Sequence, residues 1–224
     1  DLDLLNKWEF RFSQLKYIVN IGISWAGGVG DFEVENRSCD LIHWLPILKH
    51  NANFINLQYG DHRDEIADFE KKTGILLHDW DDADPLTDLE NFAAQIKALD
   101  LVISISNSTV DFSGALGVKT LTLLPYSSDW RWMENRTDSI WYPHVMTLFR
   151  QEKQGDWVSV IELVEKGLIQ YLQSLPGRVV QQATDLYHKG NVDKALKVTQ
   201  DALKEFSDHA VLLANAGAFS MTLG

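Results

Sequence analysis

From Lys16 to about Leu124 the chain alternates short, β-branched apolar runs with longer stretches of helical period. Buried strands separated by amphipathic helices build a parallel sheet wound with helices, so this alternation fixes the fold class. Tyr17 to Trp25 (YIVNIGISW) reads as the first strand and Cys39 to His50 (CDLIHWLPILKH) as its helix. Asn53 to Tyr59 reads as a second strand and Asp64 to Lys72 as a second helix, stopped by Gly74, with a third strand at Ile75 to His78. Asp88 to Leu99 has apolar residues at Leu89, Phe92, Ala93, Ile96 and Leu99, a helical spacing, with Asp88 placed to cap it. Leu101 to Ile105 and Leu121 to Leu124, separated by a helix around Thr109 to Leu116, complete an expected five-stranded core. The expectation is an α/β, Rossmann-like parallel sheet with helices on both faces.

Trp157 to Leu175 follows as a long helix, and Pro176-Gly177 breaks its pattern. Beyond the break, Ala183 and Gly217 are 34 residues apart, as are Gly190 and Gly224, which is the period of a tetratricopeptide repeat. Gly190, Ala195 and Ala202 fall where the two helices of such a repeat cross closely; a plain helical hairpin is the competing reading. The expected organisation is a linker or the end of a preceding domain over residues 1–16, the Rossmann-like domain over 17–177, and a truncated repeat-like segment over 178–224. The chain starts without methionine and stops one helix into the next unit, so a longer parent is expected.

Composition narrows the function classes. A formal net charge of −12 argues against a nucleic-acid surface, which needs a basic stripe to displace counterions. No run approaches the roughly 18 apolar residues of a membrane span, and the first residues are not a signal peptide. The single cysteine, Cys39, leaves no internal disulfide and fits a reducing, cytoplasmic compartment.

In an open α/β sheet ligands bind outside the carboxyl ends of the strands, so the informative residues follow each strand. Ile105 to Asp111 (ISNSTVD) delivers Ser106, Asn107, Ser108 and Thr109 to the start of a helix. Unpaired N–H groups there, with hydroxyls beside them, make a diphosphate cradle or simply a capping cluster. Gly22 to Gly30 (GISWAGGVG), containing Ser24 and Trp25, lets backbone approach a ligand, and Arg37 follows to pair with a phosphate; a flexible loop with a surface arginine is the alternative. Gln58, Tyr59, Gly60 and Glu65, after the second strand, are placed to meet a ribose. His78, Asp79, Asp81, Asp82 and Asp84 have neither zinc nor EF-hand spacing and read as a wet acidic turn, so no metal is expected. Pro125 to Pro143 holds three tryptophans, two tyrosines and two arginines, with Asp129, Trp130 and Arg131 as candidates for a sugar or interdomain contact.

Taken in order, GISW, HWLPIL, NLQYGD, DLENFAAQIKALDLVISISNSTV, SGALG and LLPY with DWRW and WYP resemble the C-terminal domain of bacterial tetratricopeptide-containing glycosyltransferases. More distantly they resemble heptosyltransferases and the O-GlcNAc transferase group. The likeness covers about Tyr17 to Leu175 and implies the C-terminal, donor-binding half of a GT-B fold, acting without a cofactor on a UDP-, GDP- or ADP-linked sugar. It implies the diphosphate over Ser106, Asn107 and Ser108, helped by Ser24 and Arg37, with the ribose near Gly60 and Glu65. Members of the group usually carry histidine where this chain has Asp111, and a carboxylate there repels a diphosphate unless it is turned away or protonated. The resemblance also implies that the catalytic base lies on an N-terminal domain absent from this sequence, so these residues alone should bind donor and transfer nothing. Two other readings use the same residues: an inactive sugar-nucleotide-binding scaffold, and a peptide-binding repeat protein whose α/β part is a support.

Overall fold

The computed structural model describes residues 1–27 and 37–223, so Gly28, Gly30, Asn36 and Gly224 lie outside the described residues. The chain divides into two compact units, Asp1–Lys166 and Gly167–Gly224.

The first unit is built on six strands: β1 (Asn20–Ser24), β2 (Asn53–Asn56), β3 (Leu77–His78), β4 (Leu101–Ile105), β5 (Thr120–Leu124) and β6 (Met146–Arg150). They lie in the order β3-β2-β1-β4-β5-β6, and every neighbouring pair is parallel. Strands β1, β4 and β5 are buried at every residue, the polar Asn20, Ser24, Ser104, Thr120 and Thr122 included, as strands covered on both faces are. The direction of winding reverses between β1 and β4, the topological switch point of a Rossmann-like sheet. Strand β6 is a sixth strand beyond the five expected. Its half-exposed edge sequence, MTLFR, lacks the buried apolar run that marks the others.

Among the described residues five helices belong wholly to this unit: α1 (Leu2–Phe12), α2 (Leu45–Leu48), α3 (Arg63–Thr73), α4 (Leu89–Lys97) and α5 (Ser108–Ala115). The single helix expected over residues 39–50 is instead a 3-10 turn, Leu41–Trp44, followed by the one-turn α2. Pro46 cannot donate to the Ile42 carbonyl, so a continuous helix loses its ladder there. Asp88 caps α4 by accepting from the Asn91 amide at 3.0 Å, and Gly74 closes α3 with φ of 72°. Crossovers from β1 to β3 run one way across the sheet and those from β3 to β5 the other, so right-handed connections put α2 and α3 on one face and α4 and α5 on the opposite face.

The α4 face also carries α1. Residues 2–12, expected as a linker or the end of another domain, form a helix whose Trp8 and Phe12 join Ile55, Phe92, Ile96 and Val102 in one buried cluster. Gly22 keeps this face closed: a Cβ there would stand 2.3 Å from Leu57 Cδ1 and 2.6 Å from Leu99 Cδ1. Cys39 is buried, and burial together with the neighbouring Asp40 charge pushes its thiol up to about 12.

Helix α6 (Trp157–His188) runs through the boundary between the two units and through Pro176 and Gly177 without ending. Proline removes only one donor, and Leu172, Leu175, Val179 and Ala183 keep apolar helical spacing across it. In the second unit α7 (Val192–Leu203) and α8 (Ala210–Leu223) follow. Ala183, Ala195 and Phe219 form its buried cluster, with Tyr187 stacked on Phe219 at 4.9 Å. Gly190, at φ of 79°, ends α6, its N–H donating to the Tyr187 carbonyl. Of the residues 34 apart, Ala183 is buried and Gly217 exposed. Among the described residues no helix is long and apolar enough to cross a membrane.

Candidate functional site

At the switch point the ends of β1, β2 and β4 are joined by one buried hydrogen-bond network. Asn107 caps α5 by accepting from the Thr109 amide at 3.0 Å, and its Nδ2 donates to Ser24 Oγ at 2.7 Å and to the Ala26 carbonyl at 3.1 Å. Ser24 in turn donates to Gln58 Oε1, which also accepts from the Trp25 and Ala26 amides, at 2.8 to 2.9 Å. Ser104 Oγ lies 3.2 Å from Asn107 Oδ1. These groups are satisfied by one another, as buried polar side chains must be. Their product is a fixed backbone: three strand ends held around the positive end of a helix.

The candidates from the sequence divide accordingly. Ser24, Gln58 and Asn107 are buried and act as scaffold, and Thr109 is buried within α5. Ser106 accepts from the Trp132 indole at 2.8 Å, which ties the aromatic loop to the helix start. Ser108 is the exposed residue of the cluster. Gly27 passes directly over Asn107, where a Cβ would meet Asn107 Cβ and Ile105 Cδ1 at 3.2 Å. Its amide and carbonyl are both held by the Ser38 hydroxyl, at 3.2 and 3.3 Å. The Tyr59 hydroxyl is 3.8 Å from the same Cβ position, and Arg37 lies close enough to favour the ionised phenol, although burial outweighs it and keeps Tyr59 above its usual range. Ser24, Gly27, Arg37, Tyr59, Asn107 and Ser108 are therefore brought to one end of the sheet.

Glu65 is engaged inside the protein. Its carboxylate accepts from the Trp25 indole and the Leu41 amide, each at 2.9 Å, and stands 3.2 Å from His62 Nδ1. Burial raises its affinity for a proton, but these three partners more than offset that and hold it below the usual glutamate range. The group expected to meet a ribose thus pins Trp25 against α3. Gly60, at φ of 89°, is exposed beside it.

Asp111 is not a bare charge. Arg131 Nη1 lies 3.0 and 3.2 Å from its two oxygens, and the Tyr142 hydroxyl donates to it at 3.1 Å. Gly114 makes room, since a Cβ there would fall 2.5 Å from the Tyr142 ring. Asp129 starts the turn that aims Arg131, accepting its amide at 3.1 Å, and the guanidinium lies over Trp132 at 4.7 Å. Trp130 and Trp141 meet edge to face at 6.2 Å beside this pair, around a cleft of about 220 Å³.

A larger cleft of about 320 Å³ opens past the carboxyl ends of β2 and β3. The acidic turn forms part of its wall, and its members have separate partners. Asp82 is gripped by Arg11 at 2.8 and 3.0 Å and by Lys7 at 2.7 Å, so its carboxyl lies well below the usual range. Asp79 accepts from Asn56 and Asp84 from the Leu86 amide. Among the described residues no group of three or more His, Cys, Asp or Glu side chains is placed to share a metal ion. Sequence reasoning passed over Asn91 and Gln95 of α4, both buried near this turn. The available signal was an amide at apolar-face spacing: Asn91 and Gln95, four residues apart, lie with Phe92 and Ile96 on the buried face of an amphipathic helix.

No family model matches the chain. Over 170 residues it is 31% identical to Protein FlbA of Caulobacter vibrioides, a match that covers 75% of this chain and 28% of that protein, so the chain spans under a third of its relative's length. Among solved structures, a glycosyl transferase of family 9 from Veillonella parvula aligns with a TM-score of 0.48 at 12% identity, covering 75% of this chain and 51% of that one.

Proposed function

We propose that the first unit binds the nucleoside diphosphate end of a sugar donor, as the donor-binding half of a metal-independent GT-B-type glycosyltransferase. The observation that carries this reading is the Asn107 bridge across the switch point, which fixes Ser24, Ala26 and the start of α5 as one rigid cradle. A diphosphate lodged there meets helix amides, the exposed Ser108 hydroxyl and the Arg37 guanidinium. Preorganised donors of this kind stabilise a departing diphosphate as the glycosidic bond breaks. Asp111 is compatible with the reading because Arg131 supplies a compensating charge beside it. The base that activates the acceptor belongs, on this reading, to a second domain, and the second unit begins a tetratricopeptide-like array suited to a protein or peptide partner.

The test is a calorimetric titration of the chain with UDP, GDP and ADP, repeated with Arg37→Ala. One nucleotide should bind in the micromolar to millimolar range, about −4 to −8 kcal/mol, and the variant should weaken it at least tenfold. Absence of binding for all three, or equal binding by the variant, would remove the reading.

A further inference from the structure

Asp111 follows the exposed Ser108 by three residues, so the two side chains share a face of α5 with Cβ atoms about 5–6 Å apart. A bare carboxylate at that spacing repels an anion at the start of the helix. The groups around it give it another use. Its oxygens accept from Arg131 Nη1 at 3.0 and 3.2 Å and from the Tyr142 hydroxyl at 3.1 Å. The turn that carries Arg131 is fastened a second time, because the adjoining Trp132 indole donates to Ser106 at 2.8 Å and the guanidinium lies over that indole at 4.7 Å. Arg131 is thus held between the residue before the Asn107 cap and the fourth residue of α5.

The guanidinium is not used up by this pairing. An arginine that saturates a carboxylate commits two nitrogens as a fork, whereas Nη1 alone makes both contacts to Asp111. Nε is buried without a hydrogen-bond partner, a cost that a better-paired arrangement would remove. The two side chains are 30% and 34% exposed and line the cleft of about 220 Å³, so a ligand reaches the pair.

We propose that Arg131 binds the donor's diphosphate, and that Asp111 and Tyr142 are positioning residues that hold its guanidinium beside the start of α5. The proposal rests on the donor-binding reading and adds a cation from the aromatic loop. It also fixes a sign. If Asp111 only repels the ligand, removing its charge tightens binding; if it positions Arg131, removing its charge weakens binding.

The experiment titrates the whole chain, Arg131→Gln, Asp111→Asn and the double variant with inorganic pyrophosphate by calorimetry. Arg131→Gln should bind at least fivefold more weakly, and Asp111→Asn should also bind more weakly although it removes a negative charge. Because Asp111 acts through Arg131, the double variant should bind no more weakly than Arg131→Gln alone. Thermal melts establish that each variant is folded; should Arg131→Gln unfold, Arg131→Lys, which keeps the charge and loses the planar fork, replaces it under the same threshold. A loss below fivefold at Arg131 would overturn the assignment and leave the cradle standing. Equal or tighter binding by Asp111→Asn, or losses that add in the double variant, would overturn the positioning role. No pyrophosphate binding by the parent would overturn the cradle and this assignment together.

Discussion

Trp8→Ala is expected to lower stability by about 3–5 kcal/mol, the range for emptying a fully buried aromatic site. Trp8 is 0% exposed, packs on Phe12 at 5.6 Å and on Trp80 at 5.5 Å, and donates its indole N–H to Asn91 at 2.8 Å. The alanine variant therefore opens a void and strands the buried Asn91 carbonyl together. For a chain of this size the melting temperature should fall by roughly 10 °C. Trp8→Phe keeps most of the packing and loses only the hydrogen bond, so its loss should be clearly smaller. Thermal melts of the two variants decide the matter, and an unchanged melt for Trp8→Ala would mean that α1 is not docked on the α4 face. Trp80, against which Trp8 packs, also lines the larger cleft, so the same variant loosens that wall.

Asn107→Asp should weaken nucleotide binding about 30-fold, roughly 2 kcal/mol, the scale of a like-charge contact in a partly buried site. Aspartate caps a helix as well as asparagine does, so α5 should form. The second carboxylate oxygen, however, replaces the Nδ2 that donates to Ser24 and to the Ala26 carbonyl. The contact with Ser24 survives only if its hydroxyl proton turns away from Gln58 Oε1, the contact with the Ala26 carbonyl becomes a repulsion, and a negative charge is added where the diphosphate is to lie. Asn107→Ser retains a cap without the charge and should lose less affinity. Calorimetry on both variants reads the difference; equal affinities would show that the charge at this position does not face the ligand.

The elements legible in the sequence were those fixed by neighbours along the chain. Asp88 and Asn107 cap the helices that follow them, and Gly74 takes the left-handed turn that ends α3, because each acts on residues within a few positions. Strands β1, β4 and β5 announce themselves as buried runs. Helix α1 did not, since its partners Asp82 and Asn91 lie 71 and 83 residues away from Arg11 and Trp8. The aromatic loop shows the same limit. Its composition marks it as unusual, but the pairing of Arg131 with Asp111, 20 residues earlier, depends on how the loop folds back over α5. Glu65 is the sharpest case: a carboxylate one turn into a helix is as well placed for a ribose as for an indole, and only the packing of Trp25 decides between them. Pattern gives the period and the caps; long-range pairing assigns the polar groups.

The central claim, a diphosphate at the start of α5, is tested most directly by amide hydrogen exchange of the chain with and without millimolar UDP, GDP or ADP. The account predicts slowed exchange concentrated in residues 24–27, 58–60 and 105–109 with whichever nucleotide binds. Saturable binding that leaves those amides unchanged, or protection confined to residues 178–223, would contradict it.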